Sequence, residues 1–149
     1  MELNYKKILE YQKNRFPYLM IDHVNEVIPG EKSTGYKKLK FDEWFFKVHW
    51  ENDPNMPGML QIEALVQMCS MAIFTLDGLK GKTAFLSSVD KVKFKKKIVP
   101  GDKLDLDTKI ISFKRGIANC SGVGSVNNLE ACKAIFTLVL KENMPIVKK

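Results

Sequence analysis

The sequence of 149 residues has few cysteines, no apolar run long enough to cross a membrane, and no apolar signal region near its N-terminus. Its three cysteines, Cys69, Cys120 and Cys132, are odd in number, widely separated and without metal-ligand spacing. We therefore expect reduced, buried thiols, with neither a disulfide nor a metal site. The longest apolar stretch follows Gly58 and carries too many polar side chains to span a bilayer. These absences predict a cytoplasmic protein with no membrane partner.

Acidic residues are in the minority, since 17 aspartates and glutamates face 24 lysines and arginines, which gives a formal net charge of +7. Most of the excess is lysine, and one local cluster comprises Lys91, Lys93, Lys95, Lys96 and Lys97. Such a cluster fits a solvated strand edge and a surface for a partner equally well. A nucleic-acid partner is not expected, because helix-turn-helix and zinc patterns are absent. The glycines between residues 116 and 124 are too scattered for a phosphate-binding loop, so no nucleotide cofactor is predicted.

The length favours a single domain, 1–149, built on one hydrophobic core. Residues 59–76 are good helix formers and apolar on nearly every side, which predicts a long helix buried in that core. Beyond this helix the pattern changes to period two and predicts strands at 83–94, 104–110, 117–126 and 129–140. We expect the polar tail, 141–149, to fray.

The N-terminal third predicts shorter elements. Asn4 is a suitable N-cap for a short helix that ends before Pro17. Extended segments are predicted at 18–22, 24–28 and 33–40. Near the other end of the chain, Asn127-Asn128 tolerates positive φ angles and predicts a tight hairpin. One long apolar helix with five or six antiparallel strands indicates an α+β domain whose sheet wraps the helix and leaves an edge that a homodimer would cover.

Polar side chains on the apolar helix mark candidate functional residues. Glu63, Gln67 and Ser70 are spaced i, i+4, i+7 and share one stripe. A carboxyl in apolar surroundings has a raised pKa and can act as an acid, while His49 is a residue type that acts as a base. Gly58 begins the helix, where free N–H groups can polarise a carbonyl oxygen. On spacing alone, two alternatives are at least as good: a structural histidine bonded to a backbone carbonyl, and a glutamate paired with lysine or arginine.

Three groups of motifs occur in a fixed order along the chain. Arg15-Phe-Pro-Tyr-Leu-Met-Ile-Asp22 comes first, and the segment from Phe45 to Gln67 follows. Val89-Asp-Lys-Val-Lys-Phe94 and Val99-Pro-Gly-Asp-Lys-Leu104 come last. Together they resemble the β-hydroxyacyl-acyl carrier protein dehydratases of the FabZ type, and the similarity covers about residues 8–140. The resemblance implies the α+β hot-dog fold, in which an antiparallel sheet wraps one long central helix and continues across a homodimer.

The resemblance also implies a role for each matched residue. His49 would be the base that takes the α-proton of a 3-hydroxyacyl thioester. Glu63, held in place by Gln67, would help the 3-hydroxyl to leave as water and so give the trans-2-enoyl product. The N–H of Gly58 would polarise the thioester carbonyl. The reaction requires neither a metal nor another cofactor. Two alternatives within the fold are a hot-dog thioesterase and a non-catalytic paralogue that binds acyl carrier protein.

Partners and the substrate tunnel also follow from the resemblance. The histidine and the glutamate of this family come from different subunits, which implies at least a homodimer and commonly a hexamer, a trimer of dimers. Acyl carrier protein, a strongly acidic partner, would meet a basic tunnel mouth, for which the candidates are Lys93, Lys95, Lys96 and Lys97. Phe85 stands at the position of a tunnel-gating tyrosine. Met59 and Val48, the latter where the family usually has glycine, are the other tunnel candidates.

Overall fold

The structure is a computed structural model that describes residues 1–143, and the predicted α+β class is confirmed. The helices and strands in chain order are α1 (Tyr5–Tyr11), β1 (His23–Ile28), β2 (Lys32–Lys38), α2 (Trp44–Val48), α3 (Gly58–Phe74), β3 (Ala84–Phe94), β4 (Lys103–Lys114), β5 (Ile117–Val126) and β6 (Leu129–Leu140). The strands form one antiparallel sheet of six strands in the order β1-β2-β4-β5-β6-β3. Helix α3 packs against all six strands and forms the centre of the core.

Helix α3 is buried over most of its length, as its apolar sequence predicts. Thirteen of its 17 residues are buried, and strand β2 crosses it closely at Gly35. A Cβ on Gly35 would lie 2.0 Å from the carbonyl oxygen of His23 and 2.6 Å from the methyl carbon of Met68, so only glycine permits this approach. No helix among residues 1–143 has both the length and the hydropathy needed to cross a membrane. The three cysteines are free and buried, as predicted.

The N-terminal helix begins where the sequence predicts, but the segment that follows differs from the prediction. The side chain of Asn4 accepts a hydrogen bond from the N–H of Lys7 (3.0 Å) and caps α1. The extended segment predicted at 18–22 is wrong, because a turn ends at Tyr18 and β1 starts only at His23. The backbone groups of Tyr18 and Met20 bond to the side chain of Gln67 on α3, and only Asp22, at the end of the segment, donates its N–H to a strand, at Tyr36 of β2 (2.9 Å).

Two short hairpins connect β4, β5 and β6. Asn127 and Asn128 have φ angles of 50° and 63°, and Val126 pairs with Leu129, which confirms the predicted tight turn. The chain reverses in the same way at Gly116, where φ is 75°. These hairpins place the last three strands in the middle of the sheet and bring β3 to its edge.

Strand β3 is a long edge strand with exposed apolar side chains. Leu3 bridges to β1 at the opposite edge, whereas no strand within residues 1–143 pairs with the outer side of β3. Four large apolar side chains of β3 are at least 36% exposed: Phe85, Leu86, Val92 and Phe94. The register with β6 shifts between Asp90 and Lys93, and Lys91 has a φ of 49°. This bulge lies beyond the middle of the strand, and the register also shifts between Leu86 and Ser88.

The expected frayed tail, 141–149, is only partly described. Its first three residues, Lys141–Asn143, form a 3-10 helix instead of fraying, and the N–H of Lys141 donates to the carbonyl of Thr83 (2.9 Å). Residues 144–149 lie outside the described residues.

Candidate active site

The first half of the site lies at the start of α3. Gly58 is the first residue of the helix, so its N–H has no acceptor inside the helix. The ring of Phe94 covers this position closely, because a Cβ on Gly58 would lie only 2.8 Å from the ring. An open pocket of about 520 Å³ is lined by Asn55, Met56, Gly58, Gln61, Phe94, Lys95, Lys96 and Lys97. Backbone donors at a helix N-terminus can therefore face a carbonyl oxygen in this pocket.

His49 ends α2 and is half-buried next to this pocket's wall. Its N–H donates to the carbonyl of Phe45 (2.8 Å), and its ring Nδ1 lies 3.0 Å from the carbonyl oxygen of Asn55. Since a carbonyl can only accept, Nδ1 must carry the proton, and the neutral ring keeps a lone pair on Nε2. The alternative of a histidine bonded to a backbone carbonyl thus describes Nδ1. Nε2 has no hydrogen-bond partner among residues 1–143 and can serve as a base.

The second half of the site surrounds Glu63 on α3. Its carboxyl accepts a hydrogen bond from the side-chain N–H of Gln67 (2.8 Å). The ion pairs described for residues 1–143 do not include Glu63, so these residues do not supply the lysine or arginine partner of the alternative. Burial raises the pKa of Glu63 above its usual value, and the bond from Gln67 offsets part of this effect. A carboxyl of this kind retains its proton to higher pH and can act as an acid.

Gln67 uses both ends of its amide. Besides Glu63, its nitrogen donates to the carbonyl of Tyr18 (2.9 Å), and its oxygen accepts from the N–H of Met20 (2.6 Å). The amide of Gln12 then donates to the backbone carbonyl of Gln67 (3.0 Å). These bonds fix the orientation of Gln67, and therefore of Glu63, from the side of the N-terminal segment.

A separate pocket of about 220 Å³ contains Glu63 and Gln67, and Phe85 at the start of β3 lines it. The two halves of the site thus lie against opposite ends of β3, one against Phe85 and the other against Phe94. No hydrogen bond joins His49 to the glutamate in the described part of the chain. Within one chain, the predicted residues therefore form two groups: His49 with Gly58, and Glu63 with Gln67.

The other predicted tunnel residues are exposed. The side chains of Met59 and Val48 are 66% and 74% exposed and line neither pocket of the site. The residues described therefore do not place Met59 or Val48 in a pocket wall within one chain.

The predicted lysines lie at the end of β3 and in the loop after it. Lys95 forms an ion pair with Glu130, and Lys97 pairs with Asp53 in the loop after His49. The ion pairs described for residues 1–143 do not include Lys93 or Lys96. Two positive charges of the cluster are therefore already neutralised within the chain.

Sequence reasoning missed three residues that shape the site. Asn55 offers its backbone carbonyl to His49, Phe94 covers Gly58, and the buried Gln12 supports Gln67. An apolar residue at the end of the edge strand was the available signal for Phe94. No local pattern distinguishes the other two, because their contacts join distant parts of the chain.

Comparison with known proteins identifies the family. A family model described as a FabA-like domain matches residues 13–135. The 3-hydroxyacyl-(acyl-carrier-protein) dehydratase FabZ of Clostridium novyi is 38% identical over 140 residues, which are 93% of this chain and 99% of the relative. The FabZ of Clostridium beijerinckii is 41% identical over 141 residues, with the same coverage of 93% and 99%. The solved dehydratase heterocomplex ApeI:P from Xenorhabdus doucetiae has a TM-score of 0.75 at 13% identity and covers 91% of each chain. This likeness confirms the predicted hot-dog fold, and the chain belongs to the FabA-like family.

Proposed function

We propose that the protein is a 3-hydroxyacyl-acyl carrier protein dehydratase, a lyase that forms trans-2-enoyl thioesters in fatty acid biosynthesis or a related acyl or polyketide pathway. The observation that carries this proposal is Glu63, a half-buried carboxyl with a raised pKa and no cationic partner among the described residues, held by Gln67. A dehydratase needs such an acid together with a base, and His49 has a free ring nitrogen. The names of the FabZ relatives support the same reaction.

The proposed chemistry uses one acid, one base and one backbone donor. Nε2 of His49 takes the proton from the α-carbon of the thioester, and the electron pair of that C–H bond forms the new C2–C3 double bond. The bond between C3 and its hydroxyl breaks, and Glu63 gives its proton to the departing oxygen, which leaves as water. The N–H of Gly58 stabilises the charge that develops on the thioester oxygen. A proton transfer from the imidazolium to Glu63 through solvent restores the starting state.

We further propose that the two halves of the site meet across a homodimer. Two-fold pairing of β3 with a second copy of itself would be antiparallel, as the rest of the sheet is, and would extend the sheet. A pairing centred near Asp90 would set the Phe94 end of one chain against the Phe85 end of its partner. At each end of the paired β3 strands, the interface would then contain the Gly58 pocket of one chain and the Glu63 pocket of the other. It would also cover the exposed apolar side chains of β3.

Subunit mixing tests the reaction and the shared site together. His49→Asn and Glu63→Gln should each reduce turnover of a 3-hydroxyacyl thioester on acyl carrier protein by at least about a hundredfold, because each removes one proton-transfer group. If the two variants are unfolded together and refolded as a mixture, half of the dimers carry one intact site. The mixture should therefore recover about a quarter of the wild-type activity.

The matched control is the double variant His49→Asn/Glu63→Gln mixed with wild type, whose mixed dimers contain no intact site. Product is followed as the enoyl thioester, and free thiol is measured in the same samples. Full activity of either single variant, or thiol release in place of the enoyl product, would contradict the proposed reaction. Inactive single variants that fail to complement each other would contradict only the shared site.

The finer assignments of partner, assembly and location belong to the same proposal. We propose acyl carrier protein as the macromolecular partner, with Lys93 and Lys96 as its first contacts, because ion pairs within the chain occupy Lys95 and Lys97. A trimer of dimers is the proposed complete assembly, and light scattering separates it from the dimer. We propose a cytoplasmic location, which cell fractionation tests.

A further inference from the structure

Trp50, the residue after His49, has an unusual backbone conformation. Its φ angle is 79°, in the left-handed region that a bulky side chain rarely adopts. Its side chain is 58% exposed, so burial in the core does not compensate for this conformation. Strained residues of this kind persist where the surrounding structure imposes them, and they are concentrated at functional sites.

The strained backbone places the indole on the imidazole. The ring centroids of Trp50 and His49 are 4.8 Å apart with 25° between the ring planes, so the two rings are stacked. The loop is closed behind them, because the carbonyl of Trp50 accepts a hydrogen bond from the N–H of Asp53 (3.0 Å). The ion pair between Asp53 and Lys97 ties the same loop to the end of the sheet.

Two restraints thus act on the imidazole from different directions. The bond from Nδ1 to the carbonyl of Asn55 (3.0 Å) fixes one edge of the ring but leaves rotation about that bond open. The indole of Trp50 contacts the face of the ring and opposes this rotation. Together the two contacts restrict the direction in which Nε2 points.

We propose that Trp50 is a positioning residue, which acts through His49 by holding the imidazole in the orientation that proton abstraction needs. The inference rests on the proposed role of His49 as the base. It links the two unusual features of Trp50, its positive φ angle and its stacking on the imidazole.

Three variants test this role. Trp50→Gly removes the indole, and glycine adopts a positive φ freely, so the melting temperature should not fall. Its kcat should fall by roughly ten- to a hundredfold with little change in KM, because misplacement of a catalytic group by about 1 Å can cost a hundredfold. Trp50→Phe should restore most of the activity, since a phenyl ring can also stack. Trp44→Phe is the matched control, a substitution of the other tryptophan, whose ring packs against Phe45.

Fluorescence provides a readout that does not depend on activity. In the Trp44→Phe protein, Trp50 is the remaining tryptophan, and its emission should report the contact with the stacked imidazole. Adding His49→Asn should change the emission of Trp50. The inference would be overturned if Trp50→Gly left kcat unchanged, or if it lowered activity and melting temperature in parallel. It would also be overturned if the emission of Trp50 were the same with and without His49→Asn. Activity retained by His49→Asn would instead overturn the proposed function.

Discussion

Replacing Gln67 by methionine should destabilise the protein more than the same change at Gln61 on the same helix. The N–H of Met20, a residue with 0% exposure, would lose its acceptor, and an unpaired buried donor costs about 1–3 kcal/mol. Glu63 would also lose its donor, a bond worth roughly 1.5–3 kcal/mol while the carboxyl is charged. The carbonyl of Tyr18 is near an exposed side chain, and water can replace the amide there.

Partial compensation by water in the Glu63 pocket reduces the expected loss to about 2–4 kcal/mol of unfolding free energy. Methionine has nearly the volume of glutamine, so no cavity adds to this loss. Urea denaturation at equal protein concentrations measures the effect, because association contributes to stability. A domain of this size should lose about 5–15 °C in melting temperature.

Gln61→Met is the matched control for this prediction. Gln61 lies on the same helix and is 4% exposed, against 1% for Gln67. Its amide makes one bond, to the carbonyl of Met56 (3.0 Å), and its oxygen has no partner. Methionine also removes this unpaired buried oxygen, which offsets the lost bond to Met56, so the change should cost at most about 1 kcal/mol. Equal losses in the two variants would refute the view that the Gln67 amide joins the N-terminal segment to the site.

Two further predictions concern charge. Burial raises the pKa of Glu63 above its ordinary value of 4.5. Between pH 4.5 and the raised pKa, the folded protein therefore keeps a proton that the unfolded chain has released. The contribution of Glu63 to stability is present below this pH range and is lost as the pH rises through it. Glu63→Gln should gain stability over wild type across the window, and an equal difference in urea midpoints at acidic and neutral pH would contradict this. Lys96→Glu should weaken binding of acyl carrier protein roughly three- to tenfold at low salt. Lys114→Glu, a charge reversal at the end of β4, should leave the affinity for acyl carrier protein unchanged. Similar losses of affinity in the two variants would refute a local contact at Lys96.

Much of the fold follows from local sequence patterns. The apolar run that predicts a helix at 59–76 corresponds to the helix Gly58–Phe74, and Asn127-Asn128 forms the predicted hairpin turn. Both depend on interactions between near neighbours in the chain. The segment 18–22 has the composition of a strand, yet its backbone bonds to Gln67, more than 40 residues away. No local pattern contains that contact.

The features of the site likewise fall into those that local sequence predicts and those that it does not. An isolated carboxyl on an apolar helix predicts the raised pKa of Glu63, and the structure confirms this direction. The i, i+4 spacing predicts that Gln67 and Glu63 share one stripe of the helix, and the family resemblance implies the contact that the structure shows between them. The contacts of Asn55 with His49 and of Phe94 with Gly58 depend on how the loop and the edge strand fold back on α3. Those contacts required the tertiary structure.

The bulge in β3 has a consequence for self-association. A long, apolar strand with a free edge is a hazard, since any passing strand can pair with it and copies can grow into fibres. Register shifts between Leu86 and Ser88 and between Asp90 and Lys93 interrupt the run of regular hydrogen-bonding positions. A flat foreign strand therefore matches only short parts of this edge, whereas a second β3, turned by 180°, carries the same two interruptions. The irregularity thereby favours a closed pair over open-ended growth.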